Sequence, residues 1–358
     1  MFRKIAEGNV FATTKSNANA SGPRAAILAD GSLACAFMLN SKSGGNDFVP
    51  MIAYSKDGST WTDAAPVWPE QVGKKSIFVS LRSAGEDKVC MAGKAWDIAY
   101  PGEAFWSDEA AGMKENKLVF SISEDGHSFP LPTEVDVPFY GSAEQPGGML
   151  AEDGGKLTMI YSPYPTIEKK ETADTNSMGI LSSTDGGKTY SAGKFAQVDG
   201  PCQYGEAWIT RLSDDRLFVS TWQTAVSEKS TQYLLSDDHG ATFAGPFVQP
   251  FRGQSTGIAA WKDGSVLIAY NQRKESTIGV WLAMETFNGT QVQVLENEPV
   301  WAAEVATKSS TSGDFSQWTD FAFGEPSVTV LPDDTLLVTL WYRQNGVNGI
   351  RYVRLVRE

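Results

Sequence analysis

One short unit recurs six times along this chain, and an internal repeat of that kind narrows the possible folds more than any other feature of a sequence. In each copy an apolar stretch runs into a tight acidic or glycine turn and continues as a second apolar stretch. The turns are Ala29-Asp30-Gly31-Ser32-Leu33, Gly85-Glu86-Asp87-Lys88-Val89 and Glu152-Asp153-Gly154-Gly155-Lys156-Leu157. They continue with Ser213-Asp214-Asp215-Arg216-Leu217, Lys262-Asp263-Gly264-Ser265-Val266 and Pro332-Asp333-Asp334-Thr335-Leu336, roughly 50–70 residues apart. Asp-Gly and Asp-Asp pairs between apolar runs are hairpin signals. The runs themselves read as strands, such as Ala25-Ala26-Ile27-Leu28 before the first turn and Leu336-Leu337-Val338-Thr339-Leu340 after the last. Six such units stacked radially bury their faces against each other, so the expected fold is all-β, a six-bladed β-propeller. At 358 residues the chain is long for one domain, but closed all-β folds run to such lengths, and 1–358 is read as a single propeller.

Composition agrees with short strands and tight turns: 11 Trp and 34 Gly in a chain that is 41% hydrophobic. The formal charge of −13 would repel nucleic acid and anionic membrane surfaces, so neither is an expected partner. Cys35, Cys90 and Cys202 lie far apart in apolar surroundings and are expected to be buried free thiols. The only two histidines, His127 and His239, both fall in turns, which argues against a histidine metal site and against a Ser-His-Asp triad. No apolar run reaches the ~18 residues needed to span a membrane. The opening Met1-Phe2-Arg3-Lys4-Ile5-Ala6-Glu7 lacks the apolar core of a signal peptide. The expected location is the cytoplasm, or outside the cell with a signal removed.

A second turn follows the third strand in four copies. Ser183-Thr184-Asp185-Gly186-Gly187-Lys188-Thr189-Tyr190 and Ser236-Asp237-Asp238-His239-Gly240-Ala241-Thr242-Phe243 are complete. Ser55-Lys56-Asp57-Gly58-Ser59-Thr60-Trp61 and Ser123-Glu124-Asp125-Gly126-His127-Ser128-Phe129 are one residue shorter, and the fifth and sixth units have none. The Asp side chain accepts backbone N–H groups, Gly takes positive φ and the aromatic tucks beneath. The pattern resembles the Asp-box of sialidases and related propellers, and the resemblance covers about residues 20–358. It implies a sialidase-like propeller with blades at roughly 20–75, 76–138, 139–200, 201–250, 251–300 and 320–358. The last is closed by an N-terminal strand beside Gly349–Leu355. These turns shape the fold and carry no chemistry.

Antiparallel strands place both kinds of turn at one end of the blades, so a site belongs at the other end, on the variable loops. Polar and aromatic residues gather there: Arg24, Asn40 and Asp47; Lys94, Trp96 and Asp97; Glu144, Gln145 and Tyr161. The later blades add Glu206, Trp222 and Gln223; Gln254 and Arg273; Glu325, Tyr342 and Arg343. Aromatics among carboxylates suit a sugar, since rings stack on apolar sugar faces and carboxylates do acid–base work.

The resemblance assigns roles residue by residue. Arg24 matches the first arginine of the sialidase triad, although the proline of that motif is missing. Asp47, in Ser43-Gly44-Gly45-Asn46-Asp47, matches the acid/base aspartate, and Glu206 in Gly205-Glu206-Ala207 matches the glutamate that activates the nucleophile. The second arginine of the triad should fall at Trp222 or Gln223 and is absent; Arg273 is placed to be the third. Glu325 stands where sialidases carry their tyrosine nucleophile. A neutral tyrosine suits a sugar whose anomeric carbon bears a carboxylate, and the arginines hold that carboxylate. Losing one arginine and replacing the tyrosine by a glutamate fits a sugar without it. The implied function is an exo-acting glycoside hydrolase of non-sialic specificity, with exo-arabinanases and rhamnosidases as precedents on similar propellers. Asp47 would be general acid/base, and Glu206 or Glu325 nucleophile or base. Arg24, Arg273, Gln145, Gln223 and Gln254 would bind the substrate, an oligosaccharide or glycoside, against a wall of Trp96, Trp222 or Tyr342. A true exo-α-sialidase and a non-catalytic carbohydrate-binding propeller are the alternatives. The chemistry calls for no cofactor or metal. The acidic loop Glu168-Lys169-Lys170-Glu171-Thr172-Ala173-Asp174 is read as solvated rather than calcium-binding, and the segment from Glu296 to Phe323 as a connection able to cap the pocket. Oligomeric state is left open.

Overall fold

The computed structural model describes residues 1–85, 87–136, 142–145, 147–167, 173–199, 202–223, 231–273, 277–305 and 321–358. They form six antiparallel sheets in a ring, the six-bladed propeller that the repeat predicts. Blade one comprises Asn19–Ile27, Leu33–Asn40, Val49–Ser55 and Ala65–Pro66; blade two, Lys75–Ser83, Val89–Asp97, Lys117–Ser123 and Thr133–Val135. In blade three the inner strand is split into Ser142–Glu144 and Met149–Glu152, followed by Lys156–Tyr164, Met178–Ser183 and Ser191–Phe195. Blade four is Tyr204–Arg211, Leu217–Gln223, Thr231–Ser236 and Ala244–Val248; blade five, Gln254–Ala260, Val266–Gln272, Gly279–Asn288 and Gln291–Ala302. Blade six takes Phe323–Val330, Leu336–Gln344 and Val347–Arg357 from the end of the chain and Phe2–Thr13 from its start. The register runs from Phe2 opposite Arg357 to Thr13 opposite Asn348.

Burial follows position in the blade. The second strands are covered on both faces by neighbouring blades and are almost continuously apolar, as in Leu33–Asn40 and Leu336–Gln344. The fourth strands face solvent, and Ser191–Phe195 is nearly all exposed. The hairpins between first and second strands close with positive φ where the sequence places Asp or Gly, for example Gly31 (80°), Asp215 (75°) and Asp334 (62°).

The aspartate turns lie at that same end. Asp57 Oδ1 accepts the N–H groups of Ser59 (2.8 Å) and Thr60 (2.7 Å), while Ser55 Oγ accepts that of Gly58 (2.8 Å). Asp125, Asp185 and Asp238 repeat the arrangement. Each turn also leans on its neighbours. The Tyr54 hydroxyl of blade one donates to Gly126 O in the turn of blade two (3.1 Å), and its ring lies 4.6 Å from that of His127. All three cysteines are buried free thiols.

Candidate active site

At the opposite end, four inner strands break their ladders in one way. The pairing slips between Ser21 and Arg24, Gly205 and Trp208, Gln254 and Thr256, and Gly324 and Ser327. Each slip is a β-bulge centred on a residue with positive φ: Gly22 (59°), Glu206 (47°), Ser255 (54°) and Glu325 (44°). A non-glycine residue in this region carries strain on the order of 1–3 kcal/mol, and a bulge re-aims the side chain. Here the bulges of blades four, five and six turn Glu206, Ser255 and Glu325 into one cavity of about 200 Å³.

Glu206 Oε2 accepts Trp222 Nε1 (2.8 Å) and Ser255 Oγ (2.5 Å). Desolvation, reinforced by the charges of Glu325 and Glu144, pushes its carboxyl up to about 7, against the pull of those two donors. Glu325 Oε2 accepts the N–H of Gly22 (2.8 Å). Desolvation raises Glu325 too, and Glu144 adds to this, but Arg24, the Gly22 N–H and Lys94 all favour its ionised form. The two carboxyls differ in what they accept: side-chain donors for Glu206, a backbone amide for Glu325, while the charges of Arg24 and Arg273 reach both. The third carboxylate, Glu144, is paired with Lys94 at the break in the inner strand of blade three.

The far wall is aromatic: Phe48, Phe78, Trp96, Phe105 and Trp106. Two of these rings come from the excursion between the second and third strands of blade two, which carries a hairpin of Trp106–Ser107 and Gly112–Met113. The excursion is locked to both neighbours. The N–H of Phe105 donates to Gly44 O (3.1 Å) and that of Asn46 to Glu103 O (2.8 Å), while the N–H of Met113 donates to Pro165 O (3.0 Å). Ser43 and Gly44 of that contact also line the cavity.

The residues expected from sequence divide into three groups. Glu206, Glu325, Trp96, Trp222, Gln254 and Arg273 line the cavity together. Arg273 Nη2 donates to Phe323 O (2.5 Å), its guanidinium lies 3.9 Å from the Phe321 ring, and burial lowers its pKa to about 9. Asp47 stays on the rim loop, where its carboxylate accepts the N–H of Ser41 (3.2 Å) and does not line the cavity. Gln223 pairs with Tyr204 at a strand end, outside the lining, and Gln145 is buried (2% exposed) behind it.

Two expectations need correcting. Arg24 does not face the cavity. The bulge at Gly22 turns it beneath the floor, where Nη1 donates to the carbonyls of Pro23 (2.7 Å) and Glu325 (2.8 Å). Tyr342 points into the core between blades five and six and donates to Asn9 Oδ1 (3.0 Å); Trp341, one residue earlier, takes the place in the wall. Sequence reasoning missed Ser255, Trp341, Phe105 and Trp106. An aromatic pair within a glycine-bounded stretch between two strands was the available signal for the last two. Of the acidic loop, residues 168–172 lie outside the described residues, as do 306–320 of the segment before Glu325, although Phe321 at its end lines the cavity. Among the described residues no three His, Cys, Asp or Glu are grouped to hold a metal ion, and no helix is long and apolar enough to cross a membrane.

No protein-family model matches this sequence, and no curated protein does. Solved structures do match it. A Dyadobacter fermentans protein of unknown function shares 16% identity over 100% of this chain and 99% of its own, with a TM-score of 0.76. An α-L-arabinanase from Penicillium chrysogenum, complexed with arabinobiose, shares 16% over 98% of both chains, TM-score 0.64. The NanB sialidase of Streptococcus pneumoniae shares 12% over 97% of this chain and 70% of its own, TM-score 0.59. At such identities the likeness is one of fold: this chain has the six-bladed propeller found in sialidases and arabinanases.

Proposed function

We propose that the protein is an exo-acting glycoside hydrolase for a non-sialic sugar, with Glu206 and Glu325 as the reacting carboxylates. One observation carries this reading: two glutamates, each on a strained bulge of an inner strand, enter one cavity, where the charge of Glu325 adds to the burial that raises Glu206. Glycosidases need one carboxyl protonated and one ionised across the scissile bond. Glu206, raised to about 7, keeps its proton near neutral pH and can pass it to the departing glycosidic oxygen. Glu325, whose ionised form Arg24, the Gly22 N–H and Lys94 favour against the upward push of its burial, takes the role of nucleophile or of base for water. The acid role expected of Asp47 passes to Glu206 because Asp47 is held at the rim by its own loop. The aromatic wall supplies rings for the apolar face of a sugar. The locked excursion of blade two closes one side, which favours a terminal residue over the middle of a chain. A sialidase clamps its substrate's carboxylate with three arginines; here Arg24 is committed to backbone carbonyls below the floor, and Arg273 and Arg343 are the arginines in the lining.

A fluorogenic aryl-glycoside panel, with neutral pentosides, hexosides and deoxyhexosides beside a sialoside, tests this. Turnover of a neutral glycoside is expected, and Glu206→Gln and Glu325→Gln should each lower kcat by about 10²–10⁴-fold without loss of fold. Fast sialoside turnover would reject the non-sialic reading. Glycan binding without turnover of anything on the panel would make this a carbohydrate-binding propeller.

A further inference from the structure

Below the cavity floor lies a cationic stack on the ring of Trp208. Arg24 places its guanidinium 4.4 Å from the ring centroid of Trp208, and Arg82 stands over the same ring at 5.6 Å. Arg24 is 3% exposed and Trp208 4%. Burial lowers the Arg24 pKa to about 10, against the charges of Glu325 and Glu206, so it remains a cation at neutral pH. A guanidinium desolvated on an indole face is held by both dispersion and the ring quadrupole.

The chain positions of these residues matter. Trp208 closes the bulge that presents Glu206. Arg24 closes the bulge of Gly22, whose N–H holds the Glu325 carboxylate. The same Arg24 donates through Nη1 to the backbone carbonyl of Glu325 itself. One side chain thus touches the supports of both glutamates, from a third blade. Arg82 extends the tie by donating to Gly147 O (2.6 Å) and Met149 O (3.0 Å) of blade three. Gly147 in turn bridges to Trp208, at a position where a Cβ would come within 2.1 Å of the indole. Inner strands of five blades are therefore joined through one indole.

We propose that Arg24 and Trp208 form a positioning strut between the inner strands that sets Glu206 and Glu325 relative to each other. The function of the strut rests on the reading of those two glutamates as the reacting pair. Its geometry predicts distinct roles for charge and shape. The charge acts most on Glu325 and next on Glu206; the planar stack fixes the separation of the two carboxyls and so their mutual repulsion.

The test is a titration that needs no substrate. Protein carrying ¹³C at the glutamate carboxyls is followed by NMR from acid to alkaline pH, with Glu206 and Glu325 assigned through Glu206→Gln and Glu325→Gln. Coupling is read as the displacement of the Glu206 titration on adding Glu325→Gln. In Arg24→Met the Glu325 titration should move upward by about one pH unit, a tenfold change in proton affinity. In Arg24→Lys it should stay near wild type, while the coupling falls to half or less. Trp208→Phe, which keeps the charge and weakens the stack, should also halve the coupling, and it decides the matter if Arg24→Met fails to fold. Folded variants with an unmoved Glu325 titration and unchanged coupling would overturn the strut and leave both residues as packing between the inner strands. The same variants on the glycoside panel separate the two proposals. Shifted titrations without any turnover keep the strut and remove the hydrolase; turnover with unmoved titrations does the reverse.

Discussion

Glu285 shows at the residue scale what burial alone does to a carboxyl here. It is fully enclosed between blades four and five, on a strand whose Ala283 and Phe287 pack with Tyr233 and Tyr270. Neither carboxyl oxygen has a hydrogen-bond partner of good geometry among the described residues. Burial pushes it up to about 8, tempered by the amide of Gln249. The folded protein then binds a proton that the unfolded chain, with an ordinary pKa of 4.5, has released. Stability from this site is whole below about pH 4.5 and declines as pH rises toward 8, by at most about 1.4 kcal/mol per unit. Glu285→Gln keeps the shape without the proton. Its Tm should match wild type near pH 4.5 and exceed it increasingly up to pH 8.5; a gap that does not widen in calorimetry would contradict the assignment. Glu206 experiences the same desolvation but has Ser255, Trp222 and a cavity beside it, which is the difference between a buried acid and a usable one. Glu206 and Glu325 were legible in the sequence because charged residues at the mouths of apolar strands have little structural use. Arg24, Tyr342 and Trp341 were not. Strand alternation assigns faces by counting in twos, and each bulge adds a residue to the count, so the parity fails wherever the site is built.

The elements read most easily were the aspartate turns, because the hydrogen bonds of their aspartate side chains span only two to four residues. The blade-two excursion was illegible as an element for the opposite reason: its place is set by partners in blades one and three. The turns carry a pH signature of their own. Backbone N–H donors hold Asp57 and Asp125 down to about 2, and the Thr242 hydroxyl and N–H do the same for Asp238. A depressed folded-state pKa gives stability that is whole above the unfolded value of 3.8 and is lost as pH falls toward 2. Wild type should therefore lose Tm steeply between pH 4 and 2. The triple variant Asp57→Asn, Asp125→Asn, Asp238→Asn should be less stable at pH 6 and show a flatter slope through that window. Parallel slopes for the two proteins would place the acid sensitivity elsewhere.

For the molecule as a whole, ring closure depends on joining Phe2–Thr13 to Val347–Arg357 within one sheet. Phe2 and Val10 are buried on that strand, and burying such side chains contributes about 1.5–3 kcal/mol each. Removing residues 1–13 should expose the edge of Val347–Arg357, lower Tm by roughly 10 °C and promote association through that edge. Thermal unfolding and size-exclusion chromatography would read both, and an unchanged elution volume with unchanged Tm would show that closure rests on the other blade contacts. The four bulges have a wider consequence. Three hand a single side chain to the cavity and the fourth, at Gly22, gives its N–H to Glu325, while the strand on either side keeps its pairing. They act as sockets of a common frame, in which glycine, serine and glutamate are already interchangeable occupants. A frame of that kind can acquire a new reaction by one substitution per socket, with the blades, their turns and their stability left as they were.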